Sequence, residues 1–369
     1  MNGDAKKYNN IKLSFSIGKG ILSFLLLFFF LYSGLSLQTE IFIRDYFSNS
    51  YLVLLVYVLL LSLFLSIIFA PVNYYTGYYL EHKYSLSNQT FLKWIVENLK
   101  ETLVGAVIGI PLLLIFYFIL NYFLENWWLP FAILIFFVSV ILAQILPVLI
   151  LPIFYKVKPV DDEELKTRIL ELSLKAGLKV NNVYKFDMSR NTKKANAAFT
   201  GLGRTKRILL GDTLLENYTT DEIETVIAHE LGHFKKKHII KNIIISTSLS
   251  FFTFYLIALL FSGSIRFFGF NSITQISVLP LLVLFGTLIG LFFTPISNFI
   301  SRRFEYEADD YAVRTTGKKE AFINTLEKLT DQNLGDRNPH PLVEWFFYSH
   351  PSINRRINAI NQSFRQLHY

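Results

Sequence analysis

The chain has 369 residues, 52% of them hydrophobic and only 17% charged, with a formal net charge of +8; a soluble domain of this size carries about 25% charged residues. It contains no cysteine, which excludes disulfides, thiol nucleophiles and cysteine-ligated metal sites. Its lysines and arginines sit beside long apolar runs, a placement that serves membrane topology rather than phosphate recognition, so no nucleic-acid partner is expected.

Six apolar runs reach the roughly 17–25 residues that a bilayer-spanning helix needs: 21–37, 51–73, 103–124, 129–151, 239–261 and 278–300. The first is followed by Ser-Gly-Leu-Ser-Leu-Gln, which lacks a small-x-small cleavage site, and it reads as an uncleaved span. Positive charge alternates across the connections. Lys6, Lys7, Lys12 and Lys19 precede the first span, Lys83, Lys93 and Lys100 follow the second, a long Lys/Arg-rich stretch follows the fourth, and Arg302 and Arg303 follow the sixth. In the other connections Arg44 is offset by Asp45, Arg266 stands alone, and the loop between spans three and four has no positive residue. The positive-inside rule then places both termini and both large polar segments on the cytoplasmic side. Trp127 and Trp128 fit the outer interface, and Tyr74, Tyr75, Tyr78 and Tyr79 the inner one. Between spans two and three, Phe91, Trp94, Ile95 and Leu99 share a helical face, and this segment is expected to lie along the inner interface.

The polar stretch 152–238 reads as mixed α/β. A helix is predicted over 161–176, with Asp161 as N-cap and Gly177 just past its end. Strands are predicted at Val183–Phe186 and 207–210, with a glycine turn at 201–203 before the second. A further helix is predicted over 220–238, with Thr220 as its cap, and 301–369 reads as mostly helical. The chain thus divides into a four-span region (1–151), a polar part (152–238), a two-span hairpin (239–300) and a helical C-terminal part (301–369).

His229-Glu230-Leu231-Gly232-His233 lies inside the predicted helix. Residues at i and i+4 share a helical face, so both imidazoles can reach one zinc ion, and Glu230 can take a proton from a water there and pass it to a leaving amine. Alone, such a short pattern also arises by chance on a solvated helix face. A second motif follows span six, where Glu305 and Asp309 stand four residues apart. Glu305 would be the third ligand, and Asp309 would accept a hydrogen bond from the outer nitrogen of a ligating histidine. The antiparallel pair of spans five and six brings the two motifs together. His238 is off the ligand face and reads as a basic interfacial residue, and His82, His340 and His368 have no constellation around them.

These residues resemble the type I CaaX prenyl proteases, membrane zinc endopeptidases. Besides the two metal motifs, the resemblance rests on Asn196-Ala197-Ala198-Phe199-Thr200-Gly201, on the stretch 207–215, on Lys241-Asn242-Ile243-Ile244-Ile245, on Tyr348-Ser349-His350-Pro351 with Arg356, and on the loop 84–90. It implies that the transmembrane helices, about six by the apolar runs above, enclose a chamber and carry a cytoplasmic α/β zincin-like metallopeptidase domain with one Zn2+. It implies a prenylated CaaX protein as substrate, cut after its prenylated cysteine. It implies that His350 and Arg356 stabilise the oxyanion, and that Asn196, Ala197 and the adjacent strand hold the substrate main chain. The membrane is then a bacterial inner membrane or the endoplasmic reticulum. The eukaryotic members have seven spans, and the one lacking here falls before span three. Readings to set beside this are an HtpX-type quality-control protease, a catalytically inactive membrane scaffold, and a transporter, the last disfavoured by the near absence of Glu, Asp and Lys from mid-span.

Overall fold

The computed structural model describes residues 2–178, 180, 182–200 and 207–366, so the turn predicted at 201–203 and His368 lie outside the described residues. Helix α1 (Asn2–Tyr32) ends at Gly34, whose φ of 76° is open to glycine at little cost and turns the chain into the short α2 (Leu35–Arg44). Asn49 caps α3 (Ser50–Tyr74), accepting from the amides of Tyr51 and Leu52. That helix continues through one π turn into α4 (Leu80–Lys83).

Thr90 caps α5 (Phe91–Phe123) by accepting from the Lys93 amide. The segment expected to lie flat on the inner interface is therefore the first turns of one continuous helix. No glycine or proline interrupts residues 91–103, so a capped helix propagates straight into the apolar run. Phe91 and Trp94 spend their aromatic faces on Tyr74 and Tyr78 across the junction, at ring separations of 5.5–6.1 Å. Then come α6 (Trp128–Ile145) and α7 (Leu151–Phe154). With two more after the polar region, the described residues hold six helices long and apolar enough to cross a membrane: Gly3–Tyr32, Ser50–Lys83, Phe91–Asn126, Trp128–Phe154, His238–Ser264 and Ile276–Thr316.

The polar region opens with β1 (Val157–Pro159) and α8 (Glu163–Lys175). The cap of α8 is Asp162, which accepts from the Leu165 amide at 2.9 Å; the expected cap Asp161 instead pairs with Lys185. Next are β2 (Val183–Phe186), β3 (Ala197–Thr200), β4 (Arg207–Gly211), α9 (Asp212–Asn217) and α10 (Thr220–Lys235). Thr219, not Thr220, caps α10, in a capping box with Glu222. The strands form one mixed sheet in the order β1-β2-β4-β3, so β3 is an edge, paired antiparallel with β4 in the register Ala197↔Leu210 to Thr200↔Arg207. β1 and β3 are not evident in the sequence, because each is short and lacks alternating apolar residues.

The chain continues through α11 (His238–Ser264), α12 (Pro280–Thr316), α13 (Lys319–Gln332), α14 (Pro341–Phe347) and α15 (Ile353–Gln366). One core joins α8, the sheet and α10 to the end of α12, α13 and α15: Ile169, Ile208, Ile227, Ala312, Phe322 and Ile360 are all buried in it. The two polar segments thus fold as a unit around the ends of the α11–α12 hairpin.

Candidate metal centre

The α10 and α12 backbones meet at Gly232. A Cβ on this glycine would lie 2.9 Å from Ala308 Cα, so any side chain would force the helices apart. Ala308 sits between Glu305 and Asp309, and the close approach aligns the two motifs. His229 Nε2 and His233 Nε2 are 3.2 Å apart, His233 Nε2 is 3.3 Å from Glu305 Oε1, and His229 Nε2 is 3.5 Å from Glu305 Oε2. Ligand bonds of about 2.0–2.1 Å give a tetrahedron with edges of roughly 3.3–3.4 Å, so the two imidazole nitrogens and the Glu305 carboxylate, which turns one oxygen to each, stand at the spacing of its corners.

The surrounding hydrogen bonds fix which imidazole nitrogens are free. His229 Nδ1 lies 2.9 Å from Asp309 Oδ1 and donates to it. His233 Nδ1 lies 2.9 Å from His238 Nδ1, and His238 Nε2 is 3.0 Å from Glu307 Oε2. Glu307 is an acceptor, so His238 carries its proton on Nε2 and receives the His233 proton bond on Nδ1. Both Nε2 lone pairs therefore face each other and Glu305. Glu305 is 4% exposed, and its Oε2 has no aligned hydrogen-bond donor although His350 Nδ1 lies 2.8 Å away. Three converging electron-rich atoms, one of them an unsatisfied buried carboxylate oxygen, fit a cation.

His238 corrects the sequence reading. It is 1% exposed rather than interfacial, and its ring stacks on Phe304 at 4.1 Å. Lys237 takes a left-handed φ of 57° between α10 and α11, so the helical phase of α10 does not carry over and His238 swings back to His233. Among the described residues, His82 bonds the carbonyls of Tyr78 and Gln89, and His340 caps α14; neither adjoins the centre.

Asp309 is clamped by Arg356, with Nε and Nη2 at 2.8 and 2.6 Å from its two oxygens. Burial pushes the Arg356 guanidinium down, but Asp309, with Glu305 and Glu230 behind it, raises it above the ordinary arginine range, so it stays a cation. Arg356 Nη1 is 3.7 Å from Glu305 Oε2. A cavity of about 420 Å³ opens on this group, and Glu230, Asn196, Ala197 and His350 line it together with His229 and Glu305. Glu230 Oε2 stands 3.4 Å from the Phe199 amide of β3. His229, Glu230, Glu305, Asn196, Ala197, His350 and Arg356 thus line one cavity, with His233 and Asp309 behind them against Glu305 and His229; Gly232, His238 and Glu307 are the additions. Gly232 could have been suspected from the cost of a glycine in mid-helix.

Residues 159–363 match peptidase family M48, and residues 3–156 match the region described as CAAX prenyl protease N-terminal, five membrane helices. Over that stretch the present chain has four long apolar helices, one fewer than the description gives. The uncharacterized metalloprotease YhfN of Bacillus subtilis is 32% identical over 358 residues, covering 96% of this chain and 84% of that one. CAAX prenyl protease 1 of Saccharomyces cerevisiae is 31% identical over 320 residues, covering 82% of this chain and 70% of its own. The crystal structure of S. mikatae Ste24p superposes with a TM-score of 0.87 at 30% identity, covering 98% of this chain and 89% of that one. With a metal-binding face built from its two motifs and matches along nearly its whole length, the chain belongs to peptidase family M48, as an integral, multi-pass membrane metallopeptidase.

Proposed function

We propose that this metallopeptidase holds one zinc ion on His229, His233 and Glu305 and removes the C-terminal tripeptide of prenylated CaaX proteins. The observation that carries the reading is the pairing of a CAAX prenyl protease N-terminal match over residues 3–156 with the three converging ligand atoms. A soluble zinc peptidase has no use for the first, and a membrane scaffold none for the second. The alternating Lys/Arg distribution supports a site that opens to the cytoplasm, where CaaX proteins present their C-termini.

Zinc, when bound, supplies a Lewis acid that polarises the scissile carbonyl and acidifies a water. Glu230, lining the cavity without joining the ligand group, takes the proton of the attacking water and delivers it to the leaving amine. Arg356, fixed by Asp309, and His350, beside Glu305, present positive charge and an N–H to the developing oxyanion. Asn196 and Ala197 lie where the main chain of an extended peptide adds to the β3 edge. The bilayer holds the prenyl chain close to the cut.

The test is to incubate purified protein with a farnesylated CaaX peptide and with the same peptide lacking lipid, and to read products by mass spectrometry. Loss of three residues from the lipidated peptide alone is expected. Cutting of both peptides at scattered sites would overturn the CaaX reading. It would move the protein to membrane quality control.

A further inference from the structure

The loop 84–90 carries part of the family resemblance, yet none of its residues lines the metal-centre cavity. It docks instead on the chain that leads into β3. Ser85 takes a left-handed φ of 56° and turns the loop back, so that the Leu86 amide donates to the Glu81 carbonyl at 2.8 Å. The Leu86 carbonyl then accepts from the Lys193 amide and from the Thr192 hydroxyl, each at 2.9 Å. Further along, Asn88 donates its amide to the Asn191 carbonyl at 3.1 Å and its side chain to the Ser189 carbonyl at 2.8 Å.

The Glu81 side chain completes the grip. Its Oε1 accepts from the Tyr8 hydroxyl and from Lys12 Nζ, each at 2.5 Å, and its Oε2 pairs with Lys194 Nζ at 3.0 Å. Lys194 also donates to the Tyr8 hydroxyl at 3.2 Å. The Glu81 side chain is only 13% exposed, so its contact with Lys194 is shielded from water and counts for more than a surface ion pair. Tyr8, Leu80 and Leu86 form a small apolar core beside it.

The start of β3 has few means of holding itself. Between β2 and β3 the chain makes a single 3-10 turn, Met188–Arg190, and β3 is a four-residue edge of Ala-Ala-Phe-Thr with β4 as its one neighbour in the sheet. Its small side chains bury little apolar surface. Asn333 holds Ala195, its Oδ1 accepting from the amide at 2.9 Å and its Nδ2 donating to the carbonyl at 3.2 Å. Lys194, one residue earlier, is joined to the peptidase domain by its carbonyl, which accepts from the Thr213 hydroxyl at 2.8 Å, and to the membrane region by its side chain. An edge that adds a peptide strand binds best when its own groups are ordered beforehand, because ordering left to the moment of binding is subtracted from affinity. Asn196 and Ala197 follow Lys194 directly in that sense, two and three residues on.

We propose that Lys194 is a positioning residue, which through Glu81 fastens the start of β3 to the end of span two and keeps the substrate-accepting edge in place beside the metal centre. The proposal rests on the reading above that the β3 edge holds the substrate main chain. Lys194 does not line the cavity, so it acts through the strand and not by touching the reacting atoms.

The test is steady-state kinetics of Lys194→Met, Lys194→Arg and Lys12→Met on a farnesylated CaaX peptide, with metal content read alongside. Lys194→Met is expected to raise KM about tenfold, the scale of one charge-assisted hydrogen bond, with kcat within about twofold of wild type and metal unchanged. Lys194→Arg keeps the cation and is expected to bring KM back to within about threefold. Lys12→Met removes a half-exposed cation from the same carboxylate but leaves Glu81 its bonds to Tyr8 and Lys194, and KM should stay within about twofold. Equal rises in KM in Lys194→Met and Lys12→Met would make the cluster a general brace and overturn the assignment. An unchanged KM in Lys194→Met, a fall in kcat alone, or loss of metal would overturn it as well. Scattered cutting of the unlipidated peptide by wild type would instead sink the CaaX reading, and the same variants compared on that peptide would still decide the role of Lys194.

Discussion

Glu40 and Glu305 are each 4% exposed, the first packed at the start of α12 and the second carried near its other end. Around Glu40 every acceptor is used. One oxygen takes the Ser277 amide at 2.8 Å and its hydroxyl at 2.6 Å; the other takes Arg44 Nε at 2.9 Å. Ser36 and Tyr57 complete the cluster, their hydroxyls 2.6 Å apart. The result is a clasp that fastens α2 to the turn ahead of α12. Around Glu305 the count does not close: two imidazole lone pairs face it, and Oε2 lacks an aligned donor. Burial of a carboxylate therefore does not mark a site. Unmet polar capacity at the end of a cavity does.

The comparison is most exposed at Glu305 itself. Glu305→Ala should abolish metal retention after dialysis, read by elemental mass spectrometry, and bring peptidase activity to background. A full equivalent of metal in that variant would make Glu305 a structural carboxylate like Glu40. Glu230→Gln should keep the metal and lower kcat by about 10²–10⁴, the usual weight of a general base; parallel loss of metal would assign Glu230 to the ligand group. His238→Ala should weaken metal binding by about 10–100-fold in chelator competition, because His233 loses the partner that fixes its tautomer. Unchanged affinity would reduce His238 to packing. The smallest change at the centre is expected from Glu40→Ala. It should lower thermal stability by about 1–3 kcal/mol through the stranded Ser277 donors while leaving metal affinity as it was. A drop in affinity there would mean that the two ends of α12 are coupled.

Much of the centre is legible in the sequence because its logic is local. The spacing of His229 and His233 is one helical turn, and Glu305 and Asp309 repeat it. A two-span hairpin between the motifs leaves little freedom in how they meet. The six spans are equally plain, since hydrocarbon length sets them. What escapes is whatever depends on a break in periodicity or a contact between distant segments. His238 is displaced by one left-handed residue, Lys237, whose side chain gives no warning of it. β3 is built from Ala-Ala-Phe-Thr, with no alternation to announce a strand, and earns its conformation from β4. Asp161 and Asp162 are equal candidates for a cap until Lys185 draws one of them away. Asn333 is 138 positions from Ala195, and nothing in its neighbourhood points there.

Helix α12 runs unbroken for 37 residues, Pro280 to Thr316, a rod of roughly 55 Å at 1.5 Å per residue. Its apolar stretch and the carboxylate of Glu305 belong to one helix, with Pro295 between them, whereas His229 and His233 ride on the separate α10. The backbone contact of Gly232 with Ala308 ties α10 to that far end of the helix, so the imidazoles and the carboxylate are carried together on the continuation of one membrane span. Excising the hairpin to obtain a soluble fragment would therefore take away the helix that supplies Glu305 and the surface on which α10 is seated.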